Sequence, residues 1–345
     1  MKRRRILVFA PYLPALGGGE RYACGLAQVA DGLGTATLAG PRPSEARRLR
    51  LGFEWPCPFR DMHVDEFTTA SADYDLAIVM TNGMPPESRA GRSLLVVQFP
   101  FEPLRDWRAR RRVLSYAGVI VYSEYVRGWL RRLWGVDATI VNPPVDGGTY
   151  DPRRKRNRVL AVGRFFVGAH EKRHDVLIAA WSALESQLDA DWRLTLAGGA
   201  LSDASTRDYL DRLARAADGH RIDLAVNVPE PELRARYGES RMFWHATGFG
   251  RRPDQPEKAE HFGLTTVEAM SYGAVPVVYA DGGQLEIVSE RHGHTWRTAT
   301  ELADLTLALA GDHERRHRLA ATAAQSVAKF SFAEFSAKVR RLLGD

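Results

Sequence analysis

The stretch "EHFGLTTVEAMSYGAVPVVYADGG", residues 260–283, places two carboxylates, Glu260 and Glu268, on either side of a short Phe-Gly turn. The residues after the turn show helical spacing, and the run "GAVPVVYA" that follows is short, apolar and continuous. Such a run after a helix predicts a buried strand. The same alternation of strands and helices recurs along the chain, which indicates an α/β fold with parallel sheets covered on both faces.

This alternation occurs twice, in two halves of similar size separated by the basic, proline-containing run "DPRRKRNR". We therefore predict two doubly wound, Rossmann-like domains, 1–150 and 151–328, that face each other across a cleft, and a C-terminal helix within 329–345. Ligands of such sheets bind beyond the carboxyl ends of the strands. The predicted strands cover residues 5–10, 36–40, 74–80, 93–99, 118–123 and 138–145 in the first half and 158–164, 192–199, 222–229, 242–248 and 273–280 in the second.

The composition argues against several classes of protein. The chain has 345 residues, of which 45% are apolar, and its two cysteines, Cys24 and Cys57, have no metal-binding motif around them. A disulfide framework and a zinc site are therefore not expected. No apolar run approaches the ~20 residues of a membrane span, and the N-terminal run "ILVFA" is too short for the core of a signal peptide. We expect a cytoplasmic protein.

The net charge of +6 is concentrated in basic runs at 105–112, 127–132 and 152–158. Solvated helix faces and a linker explain these runs most simply, but anionic substrates or peripheral contact with the inner face of a membrane would also explain them. Nucleic-acid binding is not expected, because no recognised module accompanies the charge. Three tryptophans in this region are predicted to be core residues, with membrane contact as the alternative: Trp107, Trp129 and Trp134.

Two loops at predicted strand ends carry groups suited to phosphate. The first strand leads into "GGGE", residues 17–20, where glycines let a ligand approach the N–H groups of a helix start. Their spacing does not match the dinucleotide fingerprint G-x-G-x-x-G, which argues against an NAD-dependent oxidoreductase. In the second half Arg164 ends a strand and Lys172 precedes a helix. Two cations at one strand end suit a diphosphate, and solvated surface charges are the alternative.

The turn in the opening stretch is a third candidate for phosphate binding. A helix that begins at Leu264 or Thr265, after Gly263, directs free N–H groups towards the carboxyl edge of the sheet. We place Glu268 in the first turn of this helix, where it can accept hydrogen bonds from ribose hydroxyls, and Glu260 before it, within reach of a sugar. A helix-dipole interaction for Glu268 and solvation for Glu260 are the alternatives.

Together these segments resemble the family 4 glycosyltransferases, which are retaining enzymes of the two-domain GT-B fold. The resemblance rests on residues 17–20, on "GRFF…EK" at 163–172 and on 260–288, where Glu260 and Glu268 meet the Glu-x7-Glu element of the family. It implies transfer of a hexose from a nucleoside diphosphate sugar, with UDP expected before GDP. The hydroxyl acceptor would belong to glycan, lipid-linked or natural-product glycoside synthesis, and no metal or other cofactor would be needed.

The resemblance also implies roles for individual residues. Arg164 and Lys172 would neutralise the departing diphosphate, and Glu260 would bind hydroxyls of the donor sugar. In this arrangement the first domain binds the acceptor, the second binds the donor, and the C-terminal helix crosses back onto the first. The other residues expected to contact the donor are Gly18, Gly19, Asn227, Val228, Phe262, Gly263, Leu264, Thr265 and Glu268.

The chain departs from the family at Gln98, because many members have a histidine at the end of this fourth strand. Glutamine cannot act as an acid or base, but it can hydrogen-bond a sugar, and it is compatible with a scheme in which the leaving phosphate deprotonates the acceptor. The Asp-x-Asp at 73–75, a metal-binding pattern in GT-A enzymes, opens a strand and is predicted to be an ordinary turn. A catalytically silent GT-B binding domain remains the alternative function.

Overall fold

The computed structural model of the protein describes residues 3–104, 106–145, 147–168 and 171–344, without the side chain of Arg50. Arg105 of the first basic run, and Ala169 and His170 within 163–172, lie outside the described residues. Packing divides the described chain into two compact units. One comprises the residues up to Pro144 together with those from Phe330 onward, and the other comprises Val145–Lys329.

The described part of the first unit contains these elements up to Ile140: β1 Arg5–Phe9, α1 Gly18–Asp31, β2 Thr35–Gly40, α2 Glu45–Arg50, β3 Phe59–Asp61, α3 Val64–Ser71, β4 Leu76–Thr81, β5 Arg92–Val97, α4 Trp107–Leu114, β6 Gly118–Val121, α5 Glu124–Trp134 and β7 Thr139–Ile140. The strands form one parallel sheet in the order β3-β2-β1-β4-β5-β6-β7. The order reverses between β1 and β4, as in a doubly wound fold.

The strands of the first unit follow the apolar runs that predicted them. Every residue of β4 is buried, as expected of a central strand of a parallel sheet with both faces covered. The strand predicted over 138–145 is a strand only at β7, because Pro143 and Pro144 follow and proline has no N–H to donate to a sheet. The short edge strand β3 was not predicted, since its residues are polar or partly exposed.

The described part of the second unit contains β8 Arg156–Val162, α6 His174–Leu184, β9 Arg193–Gly198, α7 Ala204–Ala217, β10 Ile222–Val226, α8 Glu230–Glu239, β11 Ser240–His245, α9 Leu264–Ser271, β12 Val275–Tyr279, α10 Gln284–Ile287, β13 His294–Trp296, α11 Ala299–Gly311 and α12 His313–Ser326. Its parallel sheet has the order β10-β9-β8-β11-β12-β13, which reverses between β8 and β11. β13 pairs with β12 and was not predicted, because three residues are too few to show a periodicity.

The helix near the end of the sequence, α13, spans Phe332–Leu343 and belongs to the first unit. The ring of Phe335 packs edge-on against the ring of Tyr22 on α1, with 5.3 Å between their centroids. The guanidinium of Arg4, just before β1, donates to the carbonyl of Leu343 over 2.7 Å. The first unit is therefore built from two segments that are far apart in the sequence.

The three tryptophans of the basic region lie in different environments. Trp134 is buried and donates its indole N–H to the carbonyl of Glu102 over 2.7 Å, and Trp129 packs partly buried against the same core. Trp107, the first residue of α4, is 66% exposed, so the prediction that it is a core residue was wrong. The buried residues of α4 are Ala109 and Val113, four positions apart, and Trp107 lies on another face.

The Asp-x-Asp pattern lies in the turn before β4, at the amino-terminal edge of its sheet. Asp75 Oδ2 accepts a hydrogen bond from the backbone N–H of Arg5 over 2.7 Å, which ties the start of β4 to the start of β1. Across the described residues, no group of three or more His, Cys, Asp or Glu side chains is arranged to hold a metal ion. None of the helices described combines the length and the hydrophobicity required to cross a bilayer.

Candidate active site

The candidate site of the second unit centres on a lysine and a glutamate that are distant in sequence. Lys172 lies in the loop between β8 and α6, and Glu260 lies in the long loop between β11 and α9, so both follow the carboxyl ends of strands. Lys172 Nζ donates to Glu260 Oε2 over 2.7 Å, with the side chains 19% and 14% exposed. The structure thus brings together two of the three residues expected to act in catalysis.

A histidine that the sequence analysis did not single out completes this contact. His245, the last residue of β11, is buried, and its Nε2 lies 3.0 Å from Glu260 Oε2. The hydroxyl oxygen of Thr247 is 3.2 Å from the same nitrogen. Burial lowers the pKa of His245, although the nearby Glu260 carboxylate raises it in opposition. The imidazole is therefore neutral near pH 7 and can act as a hydrogen-bond donor to the carboxylate.

The backbone of Glu260 is also held in place. The N–H of Gly283, in the loop after β12, donates to the Glu260 carbonyl over 2.7 Å. Gly282 has a φ of +60°, and a Cβ atom added there would lie 2.2 Å from the Glu260 carbonyl oxygen. Only glycine combines this φ with so close an approach. The "GG" of the opening stretch thus serves to position Glu260, a role that its sequence did not reveal.

The helix after the Phe-Gly turn begins where the sequence predicts it. Phe262 is buried, Gly263 has a φ of +109°, and α9 begins at Leu264, as predicted. The Gly263 carbonyl accepts the N–H groups of the third and fourth helical residues, Thr266 and Val267. The α-helical pattern leaves the N–H groups of Leu264 and Thr265 unbonded at the amino-terminal end of α9, the end of a helix that favours an anion.

Glu268 lies just beyond the first turn of α9, and not within it as was predicted. The first turn of the helix contains no acidic residue, because the helix begins at Leu264 and Glu268 is its fifth residue. Its Oε2 accepts a hydrogen bond of 2.8 Å from the hydroxyl of Tyr237, on α8. Tyr237 in turn stacks on Tyr272, with 5.8 Å between the ring centroids. The carboxylate that was expected to bind ribose is thus oriented by a buried phenol.

Arg164 is not part of the Lys172–Glu260 contact. Its side chain is exposed, and its guanidinium lies 5.0 Å from the centroid of the Phe166 ring. Within the described residues it makes no ion pair. It follows β8, so it lies on the same edge of the sheet as Lys172.

Asn227 and Val228 follow β10, at the same carboxyl edge. Asn227 adopts a left-handed φ of +56°, which asparagine tolerates better than most residues. Its N–H donates to the Gly198 carbonyl over 2.8 Å, and its side-chain oxygen accepts the N–H of Ala200 over 2.9 Å. These bonds fix the loop between β10 and α8 against the end of β9.

In the first unit, the glycines and Gln98 meet directly. Gly18 and Gly19 are the first two residues of α1, and Gln98 follows the last residue of β5. A Cβ atom added at Gly19 would lie 2.2 Å from Gln98 Nε2, so the amide packs against the glycine backbone. Glu20 caps the helix start by accepting the N–H of Gly17 over 2.6 Å. The residues expected to contact the donor here therefore form one surface at the carboxyl edge of the sheet.

A known protein family matches more than half of the chain. The sequence profile of the family described as "Glycosyl transferases group 1" matches residues 150–326. This range covers nearly all of the second unit, including β8 with the loop that carries Lys172, and the segment from Glu260 to Glu268.

The curated proteins with similar sequences are larger than this chain. The GDP-Man:Man(3)GlcNAc(2)-PP-Dol alpha-1,2-mannosyltransferase of Xenopus laevis is 27% identical over 240 residues, which cover 64% of this chain and 46% of that protein. The protein of the same description from Homo sapiens is 25% identical over 236 residues, with coverages of 63% and 46%. The chain thus spans about half the length of the curated relatives it matches.

Solved structures match over the whole chain. The structure of Anabaena HepE in complex with UDP and glucose has a TM-score of 0.75 and 16% identity, covering 99% of both chains. A glycosyltransferase from Rickettsia africae has a TM-score of 0.77 and 15% identity, covering 100% of both chains. The predicted α/β fold of the GT-B type, with two Rossmann-like units, is confirmed by these similarities and by the two parallel sheets.

Proposed function

The chain belongs to the group 1 glycosyl transferases, and on that premise we propose that it is a retaining glycosyltransferase. It transfers a hexosyl group from a nucleoside diphosphate sugar to a hydroxyl acceptor, and it needs no metal. The observation that carries this proposal is the contact between Lys172 Nζ and Glu260 Oε2 at the carboxyl edge of the sheet. A cation for phosphate and an acceptor for sugar hydroxyls lie there side by side, close to the start of α9.

The proposed reaction places the positive groups around the leaving group. The diphosphate is stabilised, as the bond between the anomeric carbon and the phosphate oxygen breaks, by Lys172, Arg164 and the N–H groups of Leu264 and Thr265. Each well-placed donor contributes about 3–4 kcal/mol to such stabilisation. Glu260 binds hydroxyls of the sugar. The acceptor oxygen bonds to the anomeric carbon on the same face, and its proton passes to the leaving phosphate oxygen, so no enzyme base is required.

The identity of the donor rests on the relatives. The curated relatives are named for GDP-Man, whereas the structures of HepE contain UDP or UDP-glucose. The sequence similarity to the former is greater, so we propose GDP-mannose as the first donor to test and UDP-glucose as the second. This reverses the preference for UDP that the sequence resemblance gave.

Titration calorimetry with UDP, GDP, ADP and dTDP, in buffer with EDTA, is the first test. Micromolar binding of one nucleotide identifies the donor class, and its sugar nucleotides are then assayed for transfer. The anomeric configuration of the product shows whether the enzyme retains it. Binding that appears only with Mn²⁺ or Mg²⁺ would contradict the metal-free reaction. A folded sample that binds none of the four would instead support a catalytically silent GT-B domain.

A second proposal concerns the acceptor and rests on α4. This helix presents exposed aromatic and aliphatic side chains, Trp107 at 66% and Leu114 at 60% exposure, and it carries no acidic residue. Basic and apolar groups on one exposed helix suit an anionic bilayer. We propose that α4 docks on such a membrane and that the acceptor is lipid-linked. The exposed arginines of α4 are Arg108, Arg110, Arg111 and Arg112.

Sedimentation with liposomes tests this docking. Vesicles that contain phosphatidylglycerol should retain the protein at low salt, and vesicles of phosphatidylcholine alone should not. The variant Trp107→Ala/Leu114→Ala should lose this retention. The matched control is Leu201→Ala, which changes a leucine of the second unit that is 51% exposed. This variant should be retained by the vesicles as wild type is. Equal sedimentation with both kinds of vesicle, or no retention by either, would contradict the proposal.

A further inference from the structure

A single oxygen of Glu260 receives two donors in this structure. Lys172 Nζ lies 2.7 Å from Oε2, and His245 Nε2 lies 3.0 Å from the same atom. A carboxylate oxygen only accepts hydrogen bonds, so the nitrogen of a neutral imidazole that faces it must carry the proton. The other ring nitrogen of His245, Nδ1, is buried without a hydrogen-bond partner among the described residues. His245 is thus assigned as the Nε2–H tautomer.

The two donors differ in freedom of movement. His245 is 3% exposed and ends β11, where it pairs in register with Val278 of β12, so its ring has little room to move. Lys172 carries its charge on a flexible four-carbon stem in a loop. A diphosphate bears more negative charge than one carboxylate, so an arriving donor attracts the ammonium away from Glu260. The bond from His245 does not depend on that ammonium.

We propose that His245 is a positioning residue that holds the Glu260 carboxylate in its sugar-binding orientation once Lys172 has turned towards the diphosphate. The oxygen of the Thr247 hydroxyl, 3.2 Å from Nε2, can only accept from the same N–H, and the Glu260 oxygen, at 3.0 Å, is the nearer acceptor. This inference rests on the proposed function, because it assigns the sugar hydroxyls to Glu260 and the diphosphate to Lys172. The neutral imidazole contributes a donor without a charge, so it does not compete with the lysine for the anionic phosphate.

The test measures nucleotide binding and sugar transfer separately. His245→Leu removes the donor while keeping an apolar side chain of moderate size, and His245→Gln returns an amide N–H near the position of Nε2. Calorimetry measures the affinity for the nucleoside diphosphate and for its sugar nucleotide, and steady-state assays give kcat and KM. We expect His245→Leu to bind the free diphosphate as wild type does, but to lose about tenfold or more in kcat/KM for transfer. His245→Gln should recover most of this loss.

His294→Gln is the matched control. His294 is also buried in the second unit, and its Nδ1 pairs with a glutamate, Glu290, over 2.7 Å. It starts β13, at the opposite edge of the sheet from the end of β11. This variant should transfer sugar as wild type does. A loss in His294→Gln as large as that in His245→Leu would show a general effect on folding and would overturn the inference.

Two further measurements distinguish a failure of this inference from a failure of the proposed function. In a Glu260→Gln background, adding His245→Leu should lower kcat/KM little further, and a full additional loss would overturn the positioning role. A ¹⁵N spectrum of the imidazoles of the wild-type protein should show His245 as the neutral Nε2–H tautomer at about pH 7.5. A Nδ1–H tautomer would overturn the inference even if a variant failed to fold. Wild-type protein that binds no sugar nucleotide would instead overturn the proposed function.

Discussion

The phenol of Tyr237, on α8, donates a hydrogen bond to Oε2 of Glu268, on α9, over 2.8 Å. Because Glu268 is the proposed ribose ligand, Tyr237→Phe should leave this carboxylate poorly oriented and weaken nucleotide binding about three- to tenfold. It should also lower the free energy of unfolding by about 1–3 kcal/mol, since the lost hydrogen bond was made to a charged group. Calorimetry and urea denaturation measure the two effects.

Tyr116→Phe is the control for this change. Its hydroxyl donates to the Pro86 carbonyl over 2.6 Å in the first unit, so its loss should lower stability without affecting nucleotide affinity. Unaltered nucleotide binding by Tyr237→Phe would contradict the assignment of Glu268 as the ribose ligand.

Lys172→Ala should lower kcat about 100-fold or more, while the affinity for the donor falls much less. The reason is that an ammonium beside the departing phosphate is needed most when charge develops in the transition state. Arg164→Ala should act in the same direction. Comparison of kcat with the dissociation constant from calorimetry checks both variants. Unchanged turnover in either one would exclude that residue from the site.

Gly282→Ala should destabilise the second unit and impair transfer. The φ of +60° disfavours alanine, and its Cβ atom would lie 2.2 Å from the Glu260 carbonyl oxygen, so Glu260 would be displaced. Gly219→Ala provides the matched control, because Gly219 has a φ of +76° but open space around its Cβ position. We expect Gly282→Ala to lose at least about 1 kcal/mol more than the control. Equal losses in denaturation, with full activity in both, would show that the contact does not position Glu260.

Gly19→Ala should impair transfer with a change of less than about 1 kcal/mol in the free energy of unfolding. Alanine favours the helix, and the group in its way is the mobile end of Gln98, which can swing aside. If the Gln98 amide contacts the sugar, Gln98→Ala should lower kcat/KM as much as Gly19→Ala does. The double variant should then be no worse than either single change. Additive losses of kcat/KM in the double variant would show that Gly19 and Gln98 act independently.

The free energy of unfolding should depend on pH through Lys155. Burial lowers the pKa of this lysine to about 7, and its Nζ donates to the Ser240 carbonyl over 2.6 Å. Between this pKa and the ordinary value near 10.5, the unfolded chain binds more protons than the folded one, so stability rises with pH. In Lys155→Met the rise should be smaller. Parallel pH profiles of wild type and variant in urea denaturation would contradict this.

The fold was largely predictable because apolar runs and helical spacing are local patterns. Short or polar elements such as β3 and β13 were not predicted, since three residues carry no periodicity. The exposure of Trp107 was not predicted for a different reason. A tryptophan at the start of a helix does not reveal which face of the helix is buried, and here the small Ala109 occupies that face.

The candidate site was predictable where residue type and place along the chain point to one chemistry. Lys172 and Glu260 were singled out because both follow predicted strands. Their mutual contact depends on how two loops fold back, which no local pattern encodes. His245 was missed because it ends an apolar strand and looks like part of the core, although its Nε2 faces Glu260.

The packing of α13 on α1 affects the order in which the chain can fold during synthesis. Arg4 is joined to Leu343, 339 positions away, while the second unit is one uninterrupted segment. A ribosome therefore releases all of Val145–Lys329 before the residues that cover Tyr22 exist. The second unit can form while translation continues, whereas the first must wait with part of its apolar surface exposed. Nascent chains that stop before Phe332 are thus the forms most prone to aggregate or to need a chaperone.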